Sequence, residues 1–182
     1  MMTDSKSTRY SKLTIAMHWL MVIIMVAVYA TINLRELFPK GSDPRELMKA
    51  LHFMLGLSVL LFVFVRVAAR LSSHTPAIVP EPQVWQKMTA NAAHVFLYLM
   101  MIAMPILGWL ILSAGGKVIP FFGLELPALI AENKDNAKAF KDIHETIGEL
   151  GYYVIALHAG AALFHHYIKG DNTLTRMLPL RK

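Results

Sequence analysis

Between Ile15 and Ile32 the chain runs for eighteen residues in which only His18 can take a charge near neutral pH. Crossing the hydrocarbon of a bilayer takes about 20 residues of helix. Three more stretches have the same character, placing four spans at about 13–34, 49–71, 86–113 and 139–168. Pro105 and Gly108 fall inside the third, which a membrane bundle tolerates where a soluble helix would kink. Charged residues make up 16% of the chain, against about 25% in ordinary soluble domains. The sequence therefore predicts an all-α, integral membrane four-helix bundle forming one domain over residues 1–182, and excludes a disordered chain and most soluble enzymes.

The connections differ. Leu71 to Trp85 contains Pro76, Pro80 and Pro82 and cannot be helical, whereas Gly115 to Asn136 mixes Phe121, Phe122, Leu124 and Leu126 with charges and is expected to lie on the membrane surface as a lid. The first span is longer than a signal-peptide core, and no small-residue cleavage site follows it, so it reads as a retained helix. The formal charge of +6 is attributed to basic residues flanking the spans and not to nucleic-acid binding. With the termini inside, Lys6, Arg9, Lys12, Arg66, Arg70, Lys87, Lys169, Arg176, Arg181 and Lys182 are inside, ten of the 18 basic residues. The trio beside the first span favours this orientation.

The chain has no cysteine, which excludes disulfides, thiolate metal sites, iron–sulfur clusters and thioether-bound haem. Seven of the eight histidines fall on the expected helices, and ionisable groups within spans are by default candidates for function. His144 and His158 are fourteen residues apart, about 40° in direction and about 21 Å in height on a helix. Gly148, Gly151, Ile155, Ala162 and His165 continue that face, and its small residues leave room for a flat macrocycle. Alternating helix direction puts His18 level with His158 near the inner surface, and His52 level with His144 near the outer one. Each pair can offer two imidazoles to one metal from opposite sides, as an electron-carrying haem iron requires. Two b-type haems stacked across the membrane are the consequence. Any one such histidine could instead simply hydrogen-bond a neighbouring helix.

Arg66 follows His52 by fourteen residues and is a suitable bidentate partner for an inner haem propionate, or it snorkels to the surface. Lys49 and Lys141 each precede an outer histidine by three residues and could bind outer propionates. His144-Glu145 begins like the zinc-protease motif H-E-x-x-H, but Gly148 stands where the second ligand belongs. No hydrolase elbow, phosphate loop or dinucleotide fingerprint is present.

Tyr10-Ser11-Lys12-Leu13 followed by Met17-His18-Trp19-Leu20, the segment from His52 to Gly56, Ile143-His144-Glu145-Thr146 and Leu157-His158-Ala159 resemble the bacterial cytochrome b561 family. His165-His166-Tyr167, Lys169-Gly170-Asp171-Asn172-Thr173-Leu174 and Met177-Leu178-Pro179 extend the resemblance over nearly the whole chain. It implies an inner-membrane cytochrome with two haems b, whose axial ligands carry over to His18, His52, His144 and His158. Some members are superoxide oxidases that return superoxide to oxygen and pass electrons to ubiquinone.

On that basis the chain is expected to be an electron wire entered from outside and left within the membrane. Lys134, Lys138 and Lys141 lead down to His144, and Arg45 and Lys49 lead to His52; Lys49, Lys134, Lys138 and Lys141 are the candidates for steering superoxide. Asp135, Asp142, Glu145 and Glu149 lie close by and limit this to a local funnel. Trp19, His94 and His165 fall toward the inner half and are the candidates for binding ubiquinone. The alternative is a quinol-linked cytochrome module whose outer surface docks a partner redox protein. A histidine-based metal transporter is a third reading.

Overall fold

The computed structural model describes residues 8–179, so Lys6, Arg181 and Lys182 of the orientation argument lie outside the described residues. Four long helices dominate: α1 (Lys12–Leu34), α2 (Asp43–Leu71), α3 (Val84–Ala114) and α4 (Lys134–Tyr167). All four are long and apolar enough to cross a membrane. A single 3₁₀ turn, Arg35–Leu37, follows α1, and two short strands, β1 (Ile119–Phe121) and β2 (Leu124–Leu126), stand between α3 and α4.

Local chemistry sets the helix ends. Ser11 caps α1, its hydroxyl accepting from the Thr14 amide at 3.2 Å. Gln83 and Gln86 form a reciprocal capping box at the start of α3, and Asn133 caps α4. Two helices begin earlier than hydropathy predicts: α2 at Asp43 and not about 49, α4 at Lys134 and not about 139. The added turns are polar, and they start well for reasons unrelated to apolarity. Pro44 is pre-set for a first helical turn, and Asp43, Glu46 and Asp135 meet the positive ends of the helix dipoles.

Packing runs in chain order, α1 along α2, α2 along α3 and α3 along α4, while no Cα of α1 comes within 8 Å of one in α4. The bundle is thus open along the α1–α4 seam. Met21, Ile24, Val59 and Val63 form a buried cluster between α1 and α2, joined by Tyr98, Met101 and Ile102 of α3. Much apolar surface faces outward, with Ile23 65%, Phe64 57% and Leu157 72% exposed. In water such a surface would aggregate; for a bilayer-spanning bundle it is the face turned to lipid.

The first and last described segments meet at one end, called proximal here. The Tyr10 amide donates to the Arg176 carbonyl at 3.3 Å, and Arg9 donates to the Leu178 carbonyl. The α2–α3 loop is tied to the same tail: the Val79 amide donates to Asn172 Oδ1 at 2.8 Å, and Asn172 returns its own amide to the Val79 carbonyl at 3.1 Å. The opposite end is called distal. There part of the segment expected to lie on the membrane surface as a lid folds into an antiparallel hairpin, with Phe121 opposite Leu124 and Ile119 opposite Leu126. Ile119 is buried with Leu57 and Leu112, and Phe53, Trp109, Phe121 and Leu126 pack around them. Ile119, Phe121 and Leu126 are thus held against α2 and α3, while Phe122 and Leu124 face outward.

Candidate cofactor sites

Two cavities lie inside the bundle, about 520 Å³ at the distal end and about 420 Å³ at the proximal end. Both are in the range that holds cofactors. The distal one contains a pair of facing imidazoles from different helices, and the proximal one contains three imidazoles, from α1, α3 and α4. In the distal cavity the ring centroids of His52 (α2) and His144 (α4) are 6.2 Å apart with planes at 74°. In the proximal cavity those of His18 (α1) and His158 (α4) are 6.4 Å apart at 68°.

These separations are too long for the imidazoles to bond each other. Two bonds of about 2 Å to one central metal, plus about 1 Å from each nitrogen to its ring centre, put two centroids about 6 Å apart. The surroundings fit a metallated macrocycle in other ways. His52 Nδ1 lies 3.0 Å from the Val28 carbonyl; donating there fixes the tautomer that leaves Nε2 as a lone-pair donor. Arg66 Nη1 is buried without a hydrogen-bond partner. Among the described residues no three His, Asp or Glu side chains converge to hold a bare metal ion. Cavity size, ring spacing and the orphaned guanidinium nitrogen suit a flat cofactor bound by two imidazoles and carrying an anionic group.

The other expected site residues separate into two groups. Arg66 lines the proximal cavity and stands 5.8 Å from the Tyr98 ring. His94 lines that cavity too, its ring 5.3 Å from His158. Lys49 and Lys141 line the distal cavity, but each already holds a carboxylate, Glu46 at 2.6 Å and Glu145 at 3.2 Å. Arg45 is likewise engaged by Glu36 at 2.9 Å. Lys134 and Lys138 sit in the first turns of α4, away from the lining.

Trp19 and His165, expected on the quinone side, line neither cavity. The Trp19 indole donates to the Met177 carbonyl at 2.7 Å, and His165 Nδ1 is bonded to Asp171 Oδ2 at 2.6 Å. Both secure the C-terminal tail, a role invisible while the tail's position was unknown. At Gly151 a Cβ would collide with the Tyr29 hydroxyl and lie 3.1 Å from Met100 Sδ, so this glycine makes room for a packed side chain. Gly148 does line the distal cavity.

Tyr29 and Tyr152 were missed by sequence reasoning. Both line both cavities, together with Met25, Met100 and Met101, and so form the partition between them. Tyr29 donates to the Gly148 carbonyl at 3.0 Å, its ring is 4.4 Å from that of Tyr152, and Asn33 donates to the Tyr152 hydroxyl at 2.6 Å. These contacts bridge the seam that the α1 and α4 backbones leave open.

Paired imidazoles at two depths of a four-helix membrane bundle define a b-type cytochrome scaffold. The sequence matches the model of the prokaryotic cytochrome b561 family over residues 9–180. The chain belongs to that family and is a multi-pass bacterial membrane protein of electron transfer. It is 41% identical over 174 residues to cytochrome b561 homolog 1 of Escherichia coli K12, covering 96% of this chain and 99% of that one. It is 38% identical to the probable superoxide oxidase CybB of Yersinia pestis, covering 96% and 98%. To cytochrome b561 homolog 2 of Escherichia coli K12 it is 30% identical over 171 residues, covering 93% and 91%.

Proposed function

We propose that the protein carries two b-type haems and moves electrons from superoxide, on the distal side, to ubiquinone. The observation that carries the reading is the pair of facing imidazole couples, 6.2 and 6.4 Å apart in separate cavities. Haem bound there supplies reversible one-electron chemistry, and its potential is set by the axial imidazoles and their surroundings. His52 and His144 hold the distal group, and His18 and His158 the proximal one. Arg66 gives its unpartnered nitrogen to a proximal propionate. In the overall reaction two superoxide anions lose one electron each to become oxygen, and one quinone takes those two electrons and two protons. The termini face the cytoplasm of the inner membrane, which puts the distal cavity on the periplasmic side.

The substrate follows the relative named as a probable superoxide oxidase. Lys134 and Lys138 supply positive charge in the first turns of α4 at the distal end, and Lys49 and Lys141 line the cavity as halves of ion pairs. His94, against the proximal pair, is the quinone-side polar group that the cavity retains. The ion pairs at Lys49 and Lys141 favour a second reading, a quinol-linked module that docks a redox protein, because paired charges steer a small anion weakly and suit a protein surface equally well.

Purified protein tests both layers. Two haems per chain and a low-spin b-type spectrum are expected, and a folded preparation given ample haem that binds fewer than two overturns the scaffold. Haem reduction by a superoxide source, followed by quinone reduction faster than dismutation allows, is expected of the oxidase. A two-haem protein that fails in that assay but accepts electrons from quinol has the second function.

A further inference from the structure

The β1–β2 hairpin carries an apolar residue where its turn is least hospitable to one. Phe121 pairs with Leu124, so Phe122 and Gly123 are the two turn residues, and both have positive φ, +46° and +87°. Type I′ turns demand this geometry and favour Asn, Asp or Gly at the first position, because a β-carbon is strained there. The sequence places a phenylalanine at that position, and its ring is left 61% exposed; Leu124 beside it is 64% exposed. In water this combination gains nothing, since the strain is met and the ring stays wet.

Its depth supplies the reason. The Phe122 amide lies 3.2 Å from Met54 Sδ. Met54 is eleven residues inside the distal end of α2, about 16 Å along the axis, and two residues to the proximal side of His52. All the charged residues of the distal part of α2, Asp43, Arg45, Glu46 and Lys49, lie beyond it toward the distal end. The turn therefore lies beside the apolar stretch of α2, to the proximal side of that helix's distal charges, and the strand leading to it reaches deeper still, with Ile119 packed against Leu57. Paired strands can enter that layer because their backbone groups are satisfied by each other, and irregular backbone is tolerated against protein. Glu125, paired with Pro120 behind the turn and exposed, limits how far immersion can go, since its carboxylate must reach headgroups or water.

We propose that the hairpin is a shallow re-entrant wedge, with Phe122 and Leu124 inserted among the acyl chains of the distal leaflet. It pins the wall that Ile119 and Lys117 contribute to the distal cavity and separates that cavity from lipid on the α2–α3 side. This assignment does not depend on the cofactors or on the substrate.

Because the chain has no cysteine, single-cysteine variants report one position each. Phe122→Cys, Leu124→Cys and, as an exposed reference, Ala131→Cys are reconstituted in lipid nanodiscs and treated with a membrane-impermeant maleimide, each rate normalised to that in denaturing detergent. Ala131→Cys should react at the rate of a free thiol, and the two hairpin positions at least about tenfold slower, since acyl chains exclude both reagent and thiolate. Equal rates at all three overturn the wedge. Rapid labelling in nanodiscs with protection only in native membranes also overturns it, in favour of a covering protein. Phe122→Asn separates strain from immersion: it relieves the turn but puts an amide among acyl chains. A lower thermal midpoint in nanodiscs is expected, and a raised or unchanged one overturns the proposal.

Discussion

The Tyr29 hydroxyl occupies the place where any residue but glycine at position 151 would carry its Cβ. That hydroxyl also donates to the Gly148 carbonyl at 3.0 Å, so two glycines one turn apart on α4 receive one tyrosine from α1. The helices have no close backbone approach, and this is one of the few ties across the seam. Gly151→Ala forces Tyr29 or α4 to move, and overpacking of this kind costs about 1–3 kcal/mol. Tyr29→Phe removes the hydroxyl and its hydrogen bond, about 1 kcal/mol. Combined, the two should cost less than their sum, because the second relieves the clash of the first. Thermal unfolding of the four proteins in one lipid system reads the coupling, and strict additivity would mean that the two residues do not meet.

That contact also marks where legibility in sequence stops. Four spans and the level pairing of His18 with His158 and of His52 with His144 follow from helical rise and alternating direction, quantities a sequence contains. The roles of Trp19 and His165 depend on where a non-helical tail returns, which no periodicity encodes. The polar first turns of α2 and α4 went unseen because hydropathy reports the membrane and not the helix. Three-residue strands either side of Phe122-Gly123 lack the Asn-Gly or Asp-Gly signal of a hairpin, so periodicity alone does not reveal the turn. Small residues on a helix face say that something approaches closely, without saying whether it is a cofactor or a tyrosine.

The two imidazole pairs make separable predictions. His158 belongs only to the proximal cavity and His144 only to the distal one. His158→Ala should lose the proximal haem and His144→Ala the distal haem, each retaining about one per chain, with different residual potentials. Haem content and redox titration of the two variants check this. Identical spectra and potentials in the two folded variants would contradict independent sites.

Arg66 has a buried nitrogen without a partner at the proximal cavity. A propionate there would form a charge-assisted bond, about twice as strong as a neutral one. Arg66→Leu should weaken proximal haem retention by about tenfold, equivalent to about 1.4 kcal/mol, with the distal haem unaffected. Arg66→Lys should recover part of the loss, because it restores the charge but not the planar fork. Competitive haem transfer to an apo-acceptor measures both. A variant that retains haem like the parent shows that Arg66 reaches the aqueous boundary instead.

Trp19 stands next to a proposed ligand, yet its indole is committed to the Met177 carbonyl. Trp19→Phe should cost about 1 kcal/mol of stability through that hydrogen bond and increase proteolysis of the C-terminal tail. The apparent KM for quinone should not change. A several-fold rise in KM with an unchanged tail would return Trp19 to the quinone site.

Asp171 is the buried acid of the proximal clasp. Burial works against its ionisation, but hydrogen bonds from Thr173 and His165 outweigh that penalty and hold its carboxyl below the usual range. The Thr173 amide donates at 2.8 Å and His165 at 2.6 Å. Since the folded state lowers this affinity for protons, the ionised group contributes stability above its unfolded value near 3.8 and loses it as pH falls through the lower folded value. Asp171→Asn removes the charge at every pH, and hydrogen bonds to charged groups are worth about 1.5–3 kcal/mol. The stability difference between parent and variant should stay constant from about pH 7 to 5 and shrink below about pH 4. Chemical unfolding across that range measures it. A difference that already shrinks well above pH 5 would mean that the Asp171 carboxylate does not carry the effect.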